Sequence, residues 1–293
     1  MSAIRISPRH LGKMNSPGFC ARCFWFLILV GFKAPFAFPM PGIMHNLDRF
    51  EKKLVEAYFA KKGALPRWLS KLNCTETVDF PAKMTMEFPK HELTLVGMPD
   101  AVFRKKDGTL YLVDYKTARC KGDDDPFMPT YATQLLGYAE LLENAGLGDV
   151  TSAALVYFEN QVSAYSEDPL SLLSDEGFTV PMKATIHSVE LDRKALKPLL
   201  KRFREYADLS APPEGLSGCK DCEGIDQWFD TEMRRRNSAK TLRTADSSSR
   251  RVIIGHILRD HQERLVAGSG RWEEELRFRG TDCFDSTPAD WDI

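Results

Sequence analysis

The stretch LTLVGMPDAVFRKKDGTLYLVDYKT, residues 93–117, narrows most sharply what this chain can fold into. Asp107-Gly108 stands between two apolar-rich runs, a strong short-range signature of a β-hairpin, so those runs are antiparallel neighbours. Successive side chains on a strand alternate faces, and Asp114 and Lys116 therefore point to one side. Leu110 to Val113 read as the buried part of the strand. A carboxylate and an ammonium directly after it are either a local ion pair or half of a metal-dependent site. Asp100, read as lying within the preceding strand, is folded back toward Asp114 by the hairpin. Two convergent carboxylates repel unless a cation lies between them, and hard oxygen ligands suit Mg²⁺ or Mn²⁺. Lys116, on the face of Asp114, is placed to hold a water and to offset developing negative charge.

The flanking pattern is that of a mixed α/β protein. Residues 44–62 have Met44, Leu47, Phe50, Leu54 and Phe59 at close to helical spacing, and Gly63 and Pro66 stop the helix. Residues 76–88 and 92–104 read as strands. TYATQLLGYAELLENAG, residues 130–146, reads as a helix with Gly146 at its end; it sets Gln134 and Tyr138 one turn apart on one face. SAALVYFEN is a further strand, TVPMKATIHSVEL another, and the helix after it begins near Asp192 as a cap. The second C-x-x-C is read as part of a loop, and no internal repeat is visible. Helix, three strands, helix and strand make a compact α/β unit rather than a repeating βαβ array.

With 293 residues, 43% hydrophobic and 28% charged, the chain has the composition of a soluble globular protein. Its net charge of −1 excludes a wholly basic nucleic-acid glove, so any polyanion contact is local. Seven cysteines in so long a chain do not describe a secreted disulfide scaffold and favour a reducing, cytoplasmic setting. The apolar run FWFLILVGF, residues 24–32, follows a mildly basic start but is too short to span a bilayer, so it is read as a packing segment and no membrane partner is expected. Three parts follow: an N-terminal arm over 1–40, a core domain over 41–230, and a basic linker and tail over 231–293.

Each piece alone has an ordinary reading: an exposed Asp-x-Lys ion pair, a turn aspartate, a solvated helix face. Their order and spacing together carry more. GMPD, then VDYKT, then QLLGY resembles the PD-(D/E)xK nuclease superfamily, and within it the RecB-type and CRISPR-associated exonuclease branch. The resemblance covers roughly positions 40–160. It implies a restriction-endonuclease-like core (helix, three-stranded antiparallel meander, helix, further strand) with cysteine-bearing flanks. It also implies a Mg²⁺-dependent deoxyribonuclease acting on DNA in repair, recombination or defence; the alternative is a nucleic-acid-binding protein of the same fold with weak or no cleavage. By resemblance, Asp100, Asp114 and the Tyr115 carbonyl bind metal, Lys116 serves the water, and Gln134 and Tyr138 support DNA handling. The family also carries a ligand on the helix before the sheet. His45, Asp48 and Glu51 are on offer, and the Gly-x-x-His pattern favours His45.

Cys20 with Cys23, and Cys219 with Cys222, have metal-knuckle spacing and flank the core. Zn²⁺ is the simpler expectation for two such pairs. A [4Fe–4S] cluster is the rival, because the same nuclease branch uses flanking cysteines for one, usually one before and three after the core rather than two and two. Seven basic residues against one acid between Arg234 and Arg251 offer a phosphate-binding or merely solubilising segment. A helix near 252–266 could dock on the core or on a protein partner.

Overall fold

A computed structural model of the chain describes residues 3–32, 42–165 and 168–235. The elements in order are β1 (Ile4–Ile6), α1 (Pro8–Gly12), α2 (Ala21–Leu29), α3 (Gly42–Lys62), β2 (Cys74–Thr77), β3 (Met84–Phe88), β4 (Leu93–Gly97), β5 (Ala101–Lys105) and β6 (Leu110–Lys116). There follow α4 (Met128–Asn144), β7 (Val150–Asn160), the short β8 (Leu173–Ser174) and β9 (Gly177–Phe178), β10 (Met182–Val189), α5 (Leu196–Ala207) and α6 (Lys220–Arg235). The linker beyond Arg235, the helix expected near 252–266 and Cys283 lie outside the described residues.

The described chain divides into two compact units. The first takes the residues before Gly18 and those from α3 to Lys201; the second takes α2 and the residues from Arg202 onward. This differs from the three-part division read from sequence. Part of the N-terminal arm belongs to the first unit because β1 pairs parallel with β4 and Pro8 packs on α4.

In the first unit the main sheet has the order β10-β7-β6-β5-β2. The β5–β6 hairpin forms as its turn residues predict, with Ala101 opposite Val113. Gly108 takes φ +84°, a conformation that favours glycine, and Asp107 Oδ1 accepts from Thr109 N at 3.0 Å. β6 runs parallel to β7 through the α4 crossover, and β10 closes that side antiparallel to β7. The stretches 76–88 and 92–104, each expected as one strand, are both broken. β3 and β4 leave the main sheet to pair with each other and with β1 in a separate three-stranded sheet. Pro81 and Pro99 stand at the breaks; proline lacks an amide donor and restricts the residue before it. Asp100 therefore lies not within a strand but in the turn entering β5.

Val113 and Tyr115 face a core completed by Val55 of α3, Leu69, Leu72, Phe103, Val156 and Phe158. α3 turns Glu51 and Val55 inward and leaves Phe50 and Leu54 exposed. The apolar positions read from sequence spread round the helix, and packing selected a stripe that contains a glutamate.

In the second unit α2 buries Phe24, Trp25 and Phe26. Phe24 meets Phe203 edge-to-face at 5.9 Å, and Trp25 Nε1 donates to Leu209 O at 3.3 Å. The 24–32 run is thus packing surface. Among the described residues no helix is long and apolar enough to cross a membrane. The segment expected as a loop round the second C-x-x-C becomes helical from Lys220, with Asp221 and Glu223 in the first turn favouring that end.

Two glycines let α1 approach α4. A Cβ on Gly137 would sit 2.7 Å from Pro8 Cβ, and one on Gly12 would sit 2.6 Å from Thr130 O. Gly137→Ala is expected to cost about 1–3 kcal/mol through overpacking, read as a lower denaturant midpoint. Adding Pro8→Gly, which removes the Pro8 Cβ, should recover part of the packing loss, so that the two changes are less than additive.

Candidate active site

The tip of β6 carries the chemistry. Asp114 is buried, its side chain 3% exposed, and its Oδ2 pairs with Lys116 Nζ at 2.5 Å. Gln134 of α4 spans this pair: its Nε2 donates to Asp114 Oδ1 at 3.1 Å, and its Oε1 accepts from Lys116 Nζ at 3.4 Å. The same Nε2 lies 3.3 Å from Tyr138 OH. The side-chain amide thus places its acceptor on the cation and its donor on the anion. Gly97 admits the phenol, because a Cβ there would sit 2.8 Å from the Tyr138 ring. Burial pushes the Tyr138 hydroxyl, protonated at neutral pH in any case, up to about 12.

Asp100 stands one residue before the Ala101–Val113 pair, so the hairpin register carries it toward Asp114. Its Oδ2 accepts from Tyr115 N at 2.9 Å, and its Oδ1 pairs with Lys52 Nζ at 2.8 Å. Lys52 also holds Asp48 at 3.0 Å, one turn earlier on α3. Burial first, and the Asp100 charge second, raise Asp114 above the ordinary carboxylate range; Lys116 and Lys52 pull the other way.

From the opposite face of the sheet α3 presents Glu51, which accepts from Thr117 Oγ1 at 3.3 Å. Burial pushes the Glu51 carboxyl up to about 7, Asp48 and Asp100 adding to the effect. His45 is exposed and lies about two turns up α3 from Lys52. Glu51 is thus the α3 residue that the structure turns inward beside Thr117 at the end of β6. The Tyr115 ring packs into the core beside Phe158 at 5.6 Å, leaving its backbone at the site.

Glu51, Asp100 and Asp114 therefore gather acidic charge from a helix, a turn and a strand. The Asp100 charge acts on both Glu51 and Asp114, and the donor set is all oxygen, which suits a hard divalent cation. Among the described residues only the four cysteines described below bring their ligand atoms close enough together to hold an ion; here Lys52 pairs with Asp100 and Lys116 with Asp114.

A model of the PD-(D/E)XK nuclease superfamily matches residues 34–226. The chain belongs to this superfamily. A comparison with curated proteins returned no match. Among solved structures, the one titled "Crystal structure of SSO0001" is similar at 14% identity, over 68% of this chain and 75% of that one, with a TM-score of 0.37. A likeness of that degree is too remote to inform the chemistry.

For a PD-(D/E)XK protein, the acid and the lysine of the Asp-x-Lys motif sit where the sequence puts them, on one face of one strand. Lys52, Thr117 and Tyr131 are the contributors that motif reading passes over. Lys52 has a usable signal, an i,i+4 acid–base pair with Asp48. Tyr131 lies three residues before Gln134, hence near it on α4, and its ring faces Lys116 Nζ at 4.6 Å.

The second unit brings all four cysteines together. Cys20 precedes α2 as its N-cap with Cys23 in the first turn, and Cys219 and Cys222 stand alike at the start of α6. Cys23 Sγ lies 3.3 Å from Cys222 Sγ and 3.6 Å from Cys219 Sγ; Cys20 Sγ lies 3.4 Å from Cys222 Sγ. All four sulfurs fall within 4.8 Å of one another, and none is in a disulfide. Leu216 N donates to Cys20 Sγ at 3.3 Å. Burial opposes ionisation of Cys20, but that donor and its neighbours outweigh it and draw the thiol down. An Arg22–Asp226 ion pair fastens α2 to α6 beside the cluster. A Cβ on Gly215 would sit 3.1 Å from Cys222 Sγ. The arrangement can hold a metal.

The raised Glu51 carboxyl makes a pH prediction. The folded state holds its proton up to about 7, whereas the unfolded chain releases it near 4.5. Folded protein therefore binds more protons across that window, and its stability falls as pH rises through it. In divalent-free buffer, denaturant midpoints of the wild type should drop from pH 4.5 to 7, with a smaller drop in Glu51→Gln.

Proposed function

We propose that the protein is a divalent-metal-dependent deoxyribonuclease that hydrolyses phosphodiester bonds, working in DNA repair, recombination or defence. The observation that carries this reading is the Asp114–Lys116–Gln134 arrangement at the tip of β6, with Asp100 and Glu51 beside it. Lys116 is held on one side by a carboxylate and on another by an amide oxygen, which fixes its ammonium for an attacking water and for the negative charge of the phosphorane-like transition state. Gln134 acts on the reaction by orienting both members of the pair.

Glu51, Asp100, Asp114 and the Tyr115 carbonyl would hold Mg²⁺ or Mn²⁺, with Glu51 in the position the sequence favours giving to His45. The bound ion supplies Lewis acidity at the phosphoryl oxygen and makes water easier to deprotonate. DNA as substrate follows from the likeness of GMPD, VDYKT and QLLGY to the RecB-type branch. Free thiols suit a reducing, cytoplasmic setting.

At the cysteines we assign a single structural Zn²⁺. Zn–S bonds of about 2.3 Å in a tetrahedron set the sulfurs roughly 3.8 Å apart; three sulfur pairs stand at 3.3–3.6 Å and all lie within 4.8 Å, which brackets that value. In a [4Fe–4S] cluster each thiolate binds a different iron, so the sulfurs stand farther apart.

Purified chain should degrade linear DNA in Mg²⁺ or Mn²⁺, and Lys116→Ala or Asp114→Asn should lower the rate at least about 100-fold. DNA binding without any cleavage would instead support the inactive nucleic-acid-binding reading. Elemental analysis should find about one zinc per chain, lost in Cys222→Ser. Iron with acid-labile sulfide in its place would overturn the zinc assignment.

A further inference from the structure

We infer that Phe127 and Tyr131 form a stacking platform for an unpaired nucleobase beside the reacting phosphate. The inference rests on the nuclease reading and adds to it a subsite and a substrate preference. Both rings lie at the start of α4, one turn apart, on a common helix face. Their centroids are 6.3 Å apart, with planes inclined by 32°. The Lys116 ammonium sits over the Tyr131 ring at 4.6 Å. A continuous path therefore runs from the buried carboxylate of Asp114 through Lys116 and Tyr131 to Phe127, which is 43% exposed.

The backbone of Phe127 is held. Its backbone N–H donates to Oδ1 of the buried Asp125 at 2.9 Å, and its carbonyl accepts from Thr130 N and Tyr131 N. The ring has no capping role, because the hydrogen bonds at this helix start come from Asp125 and the backbone. An aromatic face left in water, joined through Tyr131 to the ammonium of Lys116, has the composition of a single-strand site: charge for the backbone and a ring for the base. Paired bases within a duplex present their edges, not their faces. The platform therefore selects a strand that is single or frayed where it is cut.

The test uses the full chain in buffer stripped of divalent cations, so that nucleic acid binds without being cut. A single-stranded oligonucleotide carrying 5-iododeoxyuridine is irradiated with the protein, and crosslinked peptides are mapped by mass spectrometry. Its affinity is measured for wild type, Phe127→Ala, Phe127→Leu and Phe127→Trp. Crosslinks should fall on the peptide containing Phe127 and Tyr131. Phe127→Ala should weaken single-strand binding about tenfold, Phe127→Trp should restore it, and Phe127→Leu, apolar but without a ring, should not. Binding to a blunt duplex of the same sequence should be equal in all four. Equal single-strand affinity in Phe127→Ala and wild type, a Phe127→Leu chain that matches wild type, crosslinks elsewhere, or no single-strand binding would each overturn the platform. Hydrolysis in Mg²⁺ separates the two readings. A wild type that cuts while Phe127→Ala binds and cuts as well leaves the nuclease and removes the platform. A chain that stacks the base but never cuts leaves the platform and removes the nuclease.

Discussion

A carboxylate buried at the end of a hydrophobic strand is the constraint on which the first unit is arranged. Asp114 would be costly there alone, because an ionised group taken out of water loses several kcal/mol of solvation. Lys116, two residues on, supplies the opposite charge, and Gln134 supplies a donor for the remaining oxygen. Each compensation places a demand on the fold. The lysine requires β6 to run straight through its tip, and the amide requires α4 to cross that tip closely. Close crossing in turn requires glycine at 97 beneath Tyr138.

The site straddles the sheet rather than lying on one side of it. α4 brings Gln134 and Tyr138 to one face, while α3 brings Glu51, and Lys52 with Asp48, from the other. The β5–β6 hairpin sets Asp100 between them. Three carboxylates from three elements gather where two lysines moderate them, and Glu51 remains partly protonated near neutrality. Concentrated acidity of this kind is unfavourable for folding, and the two lysines offset part of it.

The second unit solves a different problem with a similar economy of parts. Each C-x-x-C occupies the start of a helix, where unsatisfied amides favour negative sulfur. Helix starts at Cys20 and Cys219 aim four thiols at one point, and aromatic packing around Phe24 and Phe203 holds the segments together. Sequence spacing announced the knuckles but treated the second as a loop. The helical pattern begins only after Cys219, with acidic residues in its first turn and few apolar ones to signal it.

The sequence by itself determined the hairpin, the shared face of Asp114 and Lys116, the spacing of Gln134 and Tyr138, and the pairing of cysteine knuckles. All four follow from local rules: turn chemistry, the two-residue period of strands, the 3.6-residue period of helices, and ligand spacing. Only the tertiary structure decided that Glu51 faces the site while His45 is exposed, that Asp100 sits in a turn, and that Lys52 and Tyr131 join the charged cluster. Those outcomes depend on which stripe of α3 packs on the core, on Pro99 breaking what read as one strand, and on side chains far apart in the chain. Periodicity names the faces of an element; packing against the rest of the molecule chooses among them.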